Sequence, residues 1–191
     1  MESNNIGKIL ETQPTAISEY FEMLGGDWKS YPTETNRRVR DFCQELSVKR
    51  LYNKFTTFKS EGDEMIIGNR LRVFSFCEHH LLLFYGEAAI GYIPDETIFG
   101  ISKLQRMVDK WASRPQLQER LTSQIKNDIN EILNPKGVAV RIKAVHTCVM
   151  SRGVQSTNAE ITTMAVSGIL KDNPQARNEF LQNINSDGFK I

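Results

Sequence analysis

Two short stretches hold most of the side chains in this sequence that can bind a transition metal or move a proton near neutral pH. Phe76-Cys77-Glu78-His79-His80 carries a cysteine and two of the three histidines, and Val145-His146-Thr147-Cys148 carries the third histidine and a second cysteine. Cys77 and His80 have the Cys-x-x-His spacing, which one tight turn brings to the same side as a local zinc ligand pair. Cys148 can supply a third ligand from the other stretch. Two thiolates with an imidazole suit zinc better than magnesium or calcium. Three protein ligands leave one tetrahedral position open, which marks a catalytic rather than a structural zinc. His79 and His146 then stand beside the metal as groups that exchange protons near pH 7, so the chemistry on offer is hydrolysis with general acid–base help.

Other readings of the same residues are weaker. A lone Cys-x-x-His arises by chance in many chains. A structural zinc usually recruits a fourth Cys or His, and the remaining cysteine, Cys43, falls beside a helical stripe as a small buried hydrophobe. The zinc nucleobase deaminases need Pro-Cys-x-x-Cys, which is absent.

The elements that must position these residues follow from periodicity. Thr15 to Leu24 spaces its apolar residues for a short helix that Gly25-Gly26 stops. A second helix is expected from near Pro32, with Val39, Phe42, Leu46 and Leu51 as its buried stripe. The period then changes to two. Met65, Ile67, Asn69, Leu71, Val73, Ser75 and Cys77 form one mostly apolar strand face that ends in the cysteine. A second strand runs to Pro94-Asp95. Helices are expected after Gly100 and from near Pro115, the latter with Leu117, Leu121, Ile125, Ile129 and Ile132 as its stripe and Gln118 and Glu119 off it in the first turn. A third strand presents Val138, Val140, Ile142 and Ala144, and continues the same face into His146, Cys148, Met150 and Arg152. A further strand and a last helix from Pro174 complete an α+β domain with an antiparallel sheet. Both clusters thus lie where a core-facing strand surface runs out of hydrophobes.

Composition sets the class. A chain of 191 residues can bury a substantial core, and the net charge of +1 gives no general nucleic-acid or membrane surface. No apolar run reaches membrane-span length, and MESNNIGKILETQPTA has no signal-peptide core, so an intracellular, cytoplasmic protein is expected. Three cysteines, an odd number, argue against a disulfide framework.

Several motifs together resemble one family. CEHH followed by Leu-Leu, the strand ending GYIP, the SKLQR helix, the RPQLQERLT helix start and GVAV…AVHTCVMSRGV are similar in order and spacing to GTP cyclohydrolase I, over roughly residues 65–170. The resemblance implies the tunnelling fold: an antiparallel sheet with a helix pair on one face, here a catalytic domain over 61–191 behind an N-terminal helical extension over 1–60. It implies conversion of GTP and water to 7,8-dihydroneopterin triphosphate and formate, the first step toward pterins and folate or 7-deazaguanines. It implies zinc held by Cys77, His80 and Cys148, proton transfer by His79 and His146, phosphate binding by Ser102, Lys103, Arg106 and Arg152, and purine anchoring by Gln118 and Glu119. It also implies a ring-shaped homodecamer with sites at subunit boundaries, with GTP as substrate and no nucleic-acid or membrane partner. Lys103 and Arg106 share one helix face with Ser102 at the helix start, a place that favours anions. Glu119 can accept the guanine ring N–H and amino protons together.

Overall fold

The computed structural model describes residues 16–26 and 34–185. The chain divides between Glu45 and Leu46 into two compact units. The first holds helix α1 (Ala16–Met23) and the start of α2 (Glu34–Arg50). Gly25 closes α1 with φ of 84°, its N–H bonding Glu22 O while Gly26 N–H reaches Phe21 O. That is a Schellman cap, and its left-handed position favours glycine.

Helix α2 departs from the expected pattern. None of its residues is buried, Phe42 is 38% exposed, and Leu51 lies past its end at 72% exposed. Cys43, expected as a buried hydrophobe, is exposed. Local ion pairs support this helix instead: Arg37 bonds Glu34 at 2.6 Å and Asp41 at 2.8 Å along one face.

The second unit is built on a five-stranded sheet in the order β5-β2-β3-β6-β7. Its strands are β2 (Ile66–Cys77), β3 (Leu83–Ile93), β5 (Pro115–Gln116), β6 (Gly137–His146) and β7 (Glu160–Gly168). All neighbours are antiparallel except β5, which runs parallel to β2. A separate ribbon pairs β1 (Thr57–Lys59) with β4 (Thr97–Phe99). Helices α3 (Ser102–Ala112) and α4 (Gln118–Leu133) cover one face of the sheet. Val138, Val140, Ile142 and Ala144 of β6 point into that core with Leu104, Met107, Leu121, Ile125 and Ile129. On the other face Ala89 and Ala139 pack under Phe180 and Ile184 of α7 (Pro174–Asn185), with Leu170 of the short α6 (Ile169–Asp172). Adjacent residues on the same strand thus serve opposite layers, as the period of two requires. This is the α+β arrangement with a helix pair on one sheet face that the tunnelling-fold resemblance implies.

Two local expectations are corrected. The Met65–Cys77 face is not continuous. A bulge shifts the pairing by one residue between Gly68↔Ile90 and Leu71↔Ala88, with Arg70 at φ 55°. Met65 and Ile67 therefore pack in the α7 layer, while Leu71, Val73 and Cys77 pack in the α3–α4 layer. The helix expected from Pro115 starts at Gln118. Pro115 and Gln116 are extended beside Phe76 and Cys77, at the sheet edge where a residue without an N–H is tolerated. A half-buried staple joins the helix pair: Asp128 of α4 accepts from Lys110 Nζ at 2.5 Å and Trp111 Nε1 at 2.8 Å. Among the described residues no helix is long and apolar enough to cross a membrane.

Candidate active site

β2 ends at Cys77 in a tight turn. Cys77 N–H donates to Leu82 O at 2.7 Å, and Cys77 O accepts from His80 N–H at 3.3 Å and Leu81 N–H at 2.8 Å. Leu81 takes the left-handed conformation, φ 55°, that closes the turn. His80 is thereby folded back until its Nδ1 lies 3.7 Å from Cys77 Sγ. The turn is braced from outside. Glu78 N–H bonds Gln116 O at 3.0 Å, the Glu78 carboxylate pairs with Arg120 of α4, and Arg120 Nε donates to Gln116 Oε1 at 3.0 Å.

β6 ends at His146, directly across from Phe84 of β3. The expected extended face does not continue to Arg152. The chain turns into the short helix α5 (Thr147–Met150), and Thr147 Oγ1 ties the turn to Leu83 O at 2.7 Å. This bend carries Cys148 inward, and Arg152 lies beyond it, exposed. As a result one ligand atom each from Cys77, His146 and Cys148 lie within 4.8 Å of one another.

The donor set suits a soft-to-borderline divalent cation such as zinc. Both thiols are buried, Cys77 at 6% and Cys148 at 8% exposure. Burial pushes the Cys148 thiol up, and its neighbour Cys77 adds to that, so Cys148 becomes a thiolate more readily when a cation offsets the charge. Burial pushes His146 down, against an opposing pull from the Glu119 carboxylate. The ring therefore favours its neutral form, which can ligate or accept a proton.

The structure gathers the expected residues into two groups. Cys77, His80, His146, Cys148, Gln118 and Glu119 lie at one end of the sheet, where β2 and β6 stop and α4 starts. His79 is there too, exposed, with its ring centroid 6.1 Å from that of His80. Arg152 is close enough to Cys148 to favour its thiolate. Gln118 is 2% exposed, and its carboxamide bonds His146, Ile142, Ile161 and Thr163.

Ser102, Lys103 and Arg106 are elsewhere. They open α3, whose Leu104 packs against Gly68, while the segment after its end reaches Ser75, Phe76 and Cys77 through Arg114, Pro115 and Gln116. The length of β2 between those contacts is roughly 25–30 Å at the usual strand rise. Within one chain, then, the basic helix start and the Cys–His group occupy opposite ends of the sheet. Lys103 Nζ donates to Tyr52 Oη at 2.8 Å, and the Arg106 guanidinium stacks 4.6 Å from the Tyr52 ring centre. Those bonds lower the Tyr52 phenol pKa, the Lys103 contact most.

Sequence reasoning missed Tyr52, the Glu78–Arg120 brace and Phe84. The ring of Phe84 stacks on His146, and only the cross-strand register brings them together. Glu78 alone offered a signal, as an acid placed between the cysteine and the histidines of one turn.

The sequence is similar to known proteins. The sequence pattern of the family described as GTP cyclohydrolase I matches residues 14–185. GTP cyclohydrolase 1 of Chlorobium chlorochromatii is 49% identical over 125 residues, 65% of this chain and 56% of that protein. GTP cyclohydrolase 1 of Helicobacter pylori is 38% identical over 176 residues, 89% of this chain and 98% of that protein. GTP cyclohydrolase 1 of Drosophila melanogaster is 44% identical over 129 residues, 68% of this chain and 40% of that protein. The match therefore spans little more than half of the Chlorobium protein, less of the Drosophila one, and nearly all of the Helicobacter one. The archaeosine synthase QueF-Like in the apo form superposes with a TM-score of 0.48 at 22% identity, covering 56% of this chain and 97% of that chain. With the family pattern running along most of its length, the chain belongs to the GTP cyclohydrolase I family.

Proposed function

We propose that the protein hydrolyses GTP to 7,8-dihydroneopterin triphosphate and formate. The observation that carries this is the meeting of Cys77, His146 and Cys148 within 4.8 Å at the edge of the core, in a chain of this family. Cys77, His80 and Cys148 would hold zinc, a set favoured by the 3.7 Å approach of His80 to Cys77. When bound, the metal supplies Lewis acidity to the water that is to attack.

The chain's own residues do the rest. His146, held neutral by burial, accepts and returns a proton as water adds to carbon 8 of the guanine and the imidazole ring opens. His79, exposed at the turn, serves the second hydrolysis that releases formate and the ribose rearrangement that closes the pterin. Glu119, in the first turn of α4, grips the guanine ring N–H and amino group, with Gln118 beside it at the same end. Arg152 holds phosphate near the Cys–His group. Ser102, Lys103 and Arg106 hold the remaining phosphates.

Those three lie at the far end of their own sheet, so they would serve the Cys–His group of a neighbouring copy. That separation supports a homo-oligomer with shared sites, and the family reading makes it a decamer. The catalytic part is the chain from residue 61 onward, behind a helical extension. Three free thiols suit a reducing, cytoplasmic setting.

The test is direct. Pure protein given zinc and GTP should release formate and yield a pterin that fluoresces on oxidation. Tight GTP binding without formate would replace this reading with a nucleotide-binding, catalytically silent protein.

A further inference from the structure

Gln118 occupies the position that the family resemblance gives to a purine contact, yet its carboxamide is used up inside the protein. It is 2% exposed. Its Nε2 lies 3.1 Å from Ile142 O, 3.0 Å from Ile161 O and 3.2 Å from Thr163 Oγ1. Main-chain carbonyls only accept, so the end of the amide facing them must be the NH2. The threonines agree. Thr122 Oγ1 donates to Gln118 O at 2.7 Å, so in the 2.7 Å contact between the two hydroxyls Thr163 is the donor. Thr163 Oγ1 is left as an acceptor for Gln118 Nε2. The order of the hydroxyl protons is thereby fixed, Thr163 to Thr122 and Thr122 to Gln118 O, while the two Nε2 protons are shared among the two carbonyls and Thr163 Oγ1.

With the NH2 assigned, the atom facing His146 is Oε1, at 2.8 Å from Nε2. An amide oxygen only accepts, so His146 Nε2 carries the proton. In a neutral imidazole the lone pair is then on Nδ1. The stack on Phe84, 7° from parallel with centroids 4.6 Å apart, holds the plane of the ring.

We infer that Gln118 is a positioning residue that locks His146 in its Nε2–H tautomer, so that whatever His146 does to metal or substrate it does through Nδ1. The inference rests on the GTP cyclohydrolase reading only for what His146 acts upon. The tautomer itself follows from the hydrogen bonds. The Gln118 side chain has no free N–H for a purine, and side-chain recognition of the base at this end falls to Glu119.

The chain has three histidines, so a 15N-histidine spectrum of the full protein resolves them individually. Without GTP, His146 should show a protonated pyrrole-type Nε2 and a pyridine-type Nδ1. A protonated Nδ1 in that wild-type spectrum overturns the inference, whatever the enzyme does to GTP. In Gln118→Met the signals should become a mixture of tautomers. Turnover should fall about 10–100-fold, the usual cost of removing a partner that orients an active imidazole, while KM for GTP changes little. A rise in KM with kcat and the tautomer unchanged would make Gln118 a substrate contact and sink the proposal. Should Gln118→Met fail to fold, Thr163→Val removes one acceptor of the same amide, and the wild-type spectrum stands as a test by itself.

Discussion

The ring of His146 lies flat on the ring of Phe84, its register partner across β3 and β6, with centroids 4.6 Å apart. Phe84 is fully buried, so the imidazole has a rigid apolar wall on one face and polar atoms at its edge. Replacing Phe84 by Leu keeps most of the volume, and such swaps usually cost under about 1.5 kcal/mol of stability. The flat surface is lost. Phe84→Leu should therefore fold and keep its metal but lose turnover by roughly tenfold, the lower range for groups that orient an active residue. Thermal melting, metal content and kcat on one preparation check this, and an unchanged kcat would show that the stack is packing alone.

The metal group makes a sharper prediction. The purified chain should carry about one zinc per subunit. Cys148→Ser should lose zinc and turnover together. His80 and His146 both approach the thiols, one by 3.7 Å to Cys77 and the other within the 4.8 Å group. His80→Ala is expected to lose zinc. His146→Ala is expected to keep it and lose rate by roughly a hundredfold or more, the scale of a general acid–base group. Metal analysis showing the reverse would exchange the roles of the two histidines.

What could be read from the sequence was local. The β6 alternation, the α4 stripe, and the stops at Gly25 and Pro94 are periods and punctuation of one segment, and the structure follows them. The readings that failed needed information from a second segment. The bulge at Asn69–Arg70 is a pairing event between β2 and β3 and leaves the apolar alternation looking unbroken. Pro115 suits a first helical turn as well as a sheet edge, and only the nearness of Phe76 decides. Gln118 read only as a first-turn residue off the apolar stripe, because nothing near it in sequence shows that two carbonyls of β6 and β7 await its amide. The metal-type residues were legible because Cys and His are scarce in this chain. The separation of Lys103 from Cys148 was not, since two motifs in one chain carry no sign of which end of a sheet each will reach.

That separation can be tested by mixing chains. Arg106→Ala damages the basic helix start, and Cys148→Ser damages the Cys–His group at the opposite end of the sheet. Each variant alone should be nearly inactive. If a site draws one end from each of two copies, oligomers assembled from an equal mixture should recover about a quarter of the wild-type rate, because two intact contributions must meet by independent draw. Sites built within single chains would give no recovery, and the shared-site arrangement would fail.

The last prediction separates the grip on phosphate from the recognition of the base. GTP brings dense negative charge to a chain whose net charge is only +1, so its binding depends on local cations. Arg152 is the one expected phosphate ligand on the Cys–His end of the sheet, close enough to Cys148 to act on its charge. Removing one partner of a desolvated charge pair typically costs about 2–5 kcal/mol. Arg152→Ala should therefore weaken GTP strongly and flatten the preference for GTP over GDP, while guanine remains favoured over adenine. Glu119 has the opposite task. Its carboxylate can accept two guanine protons side by side, and the amide in Glu119→Gln turns one of those acceptors into a donor facing a donor. Glu119→Gln should erode the preference for GTP over ATP and leave the ranking of GTP over GDP in place. Competition among GTP, GDP and ATP on the two variants reads both effects at once. A change of base choice in Arg152→Ala, with Glu119→Gln altering only the dependence on phosphate number, would mean that the nucleotide lies in the site the other way round.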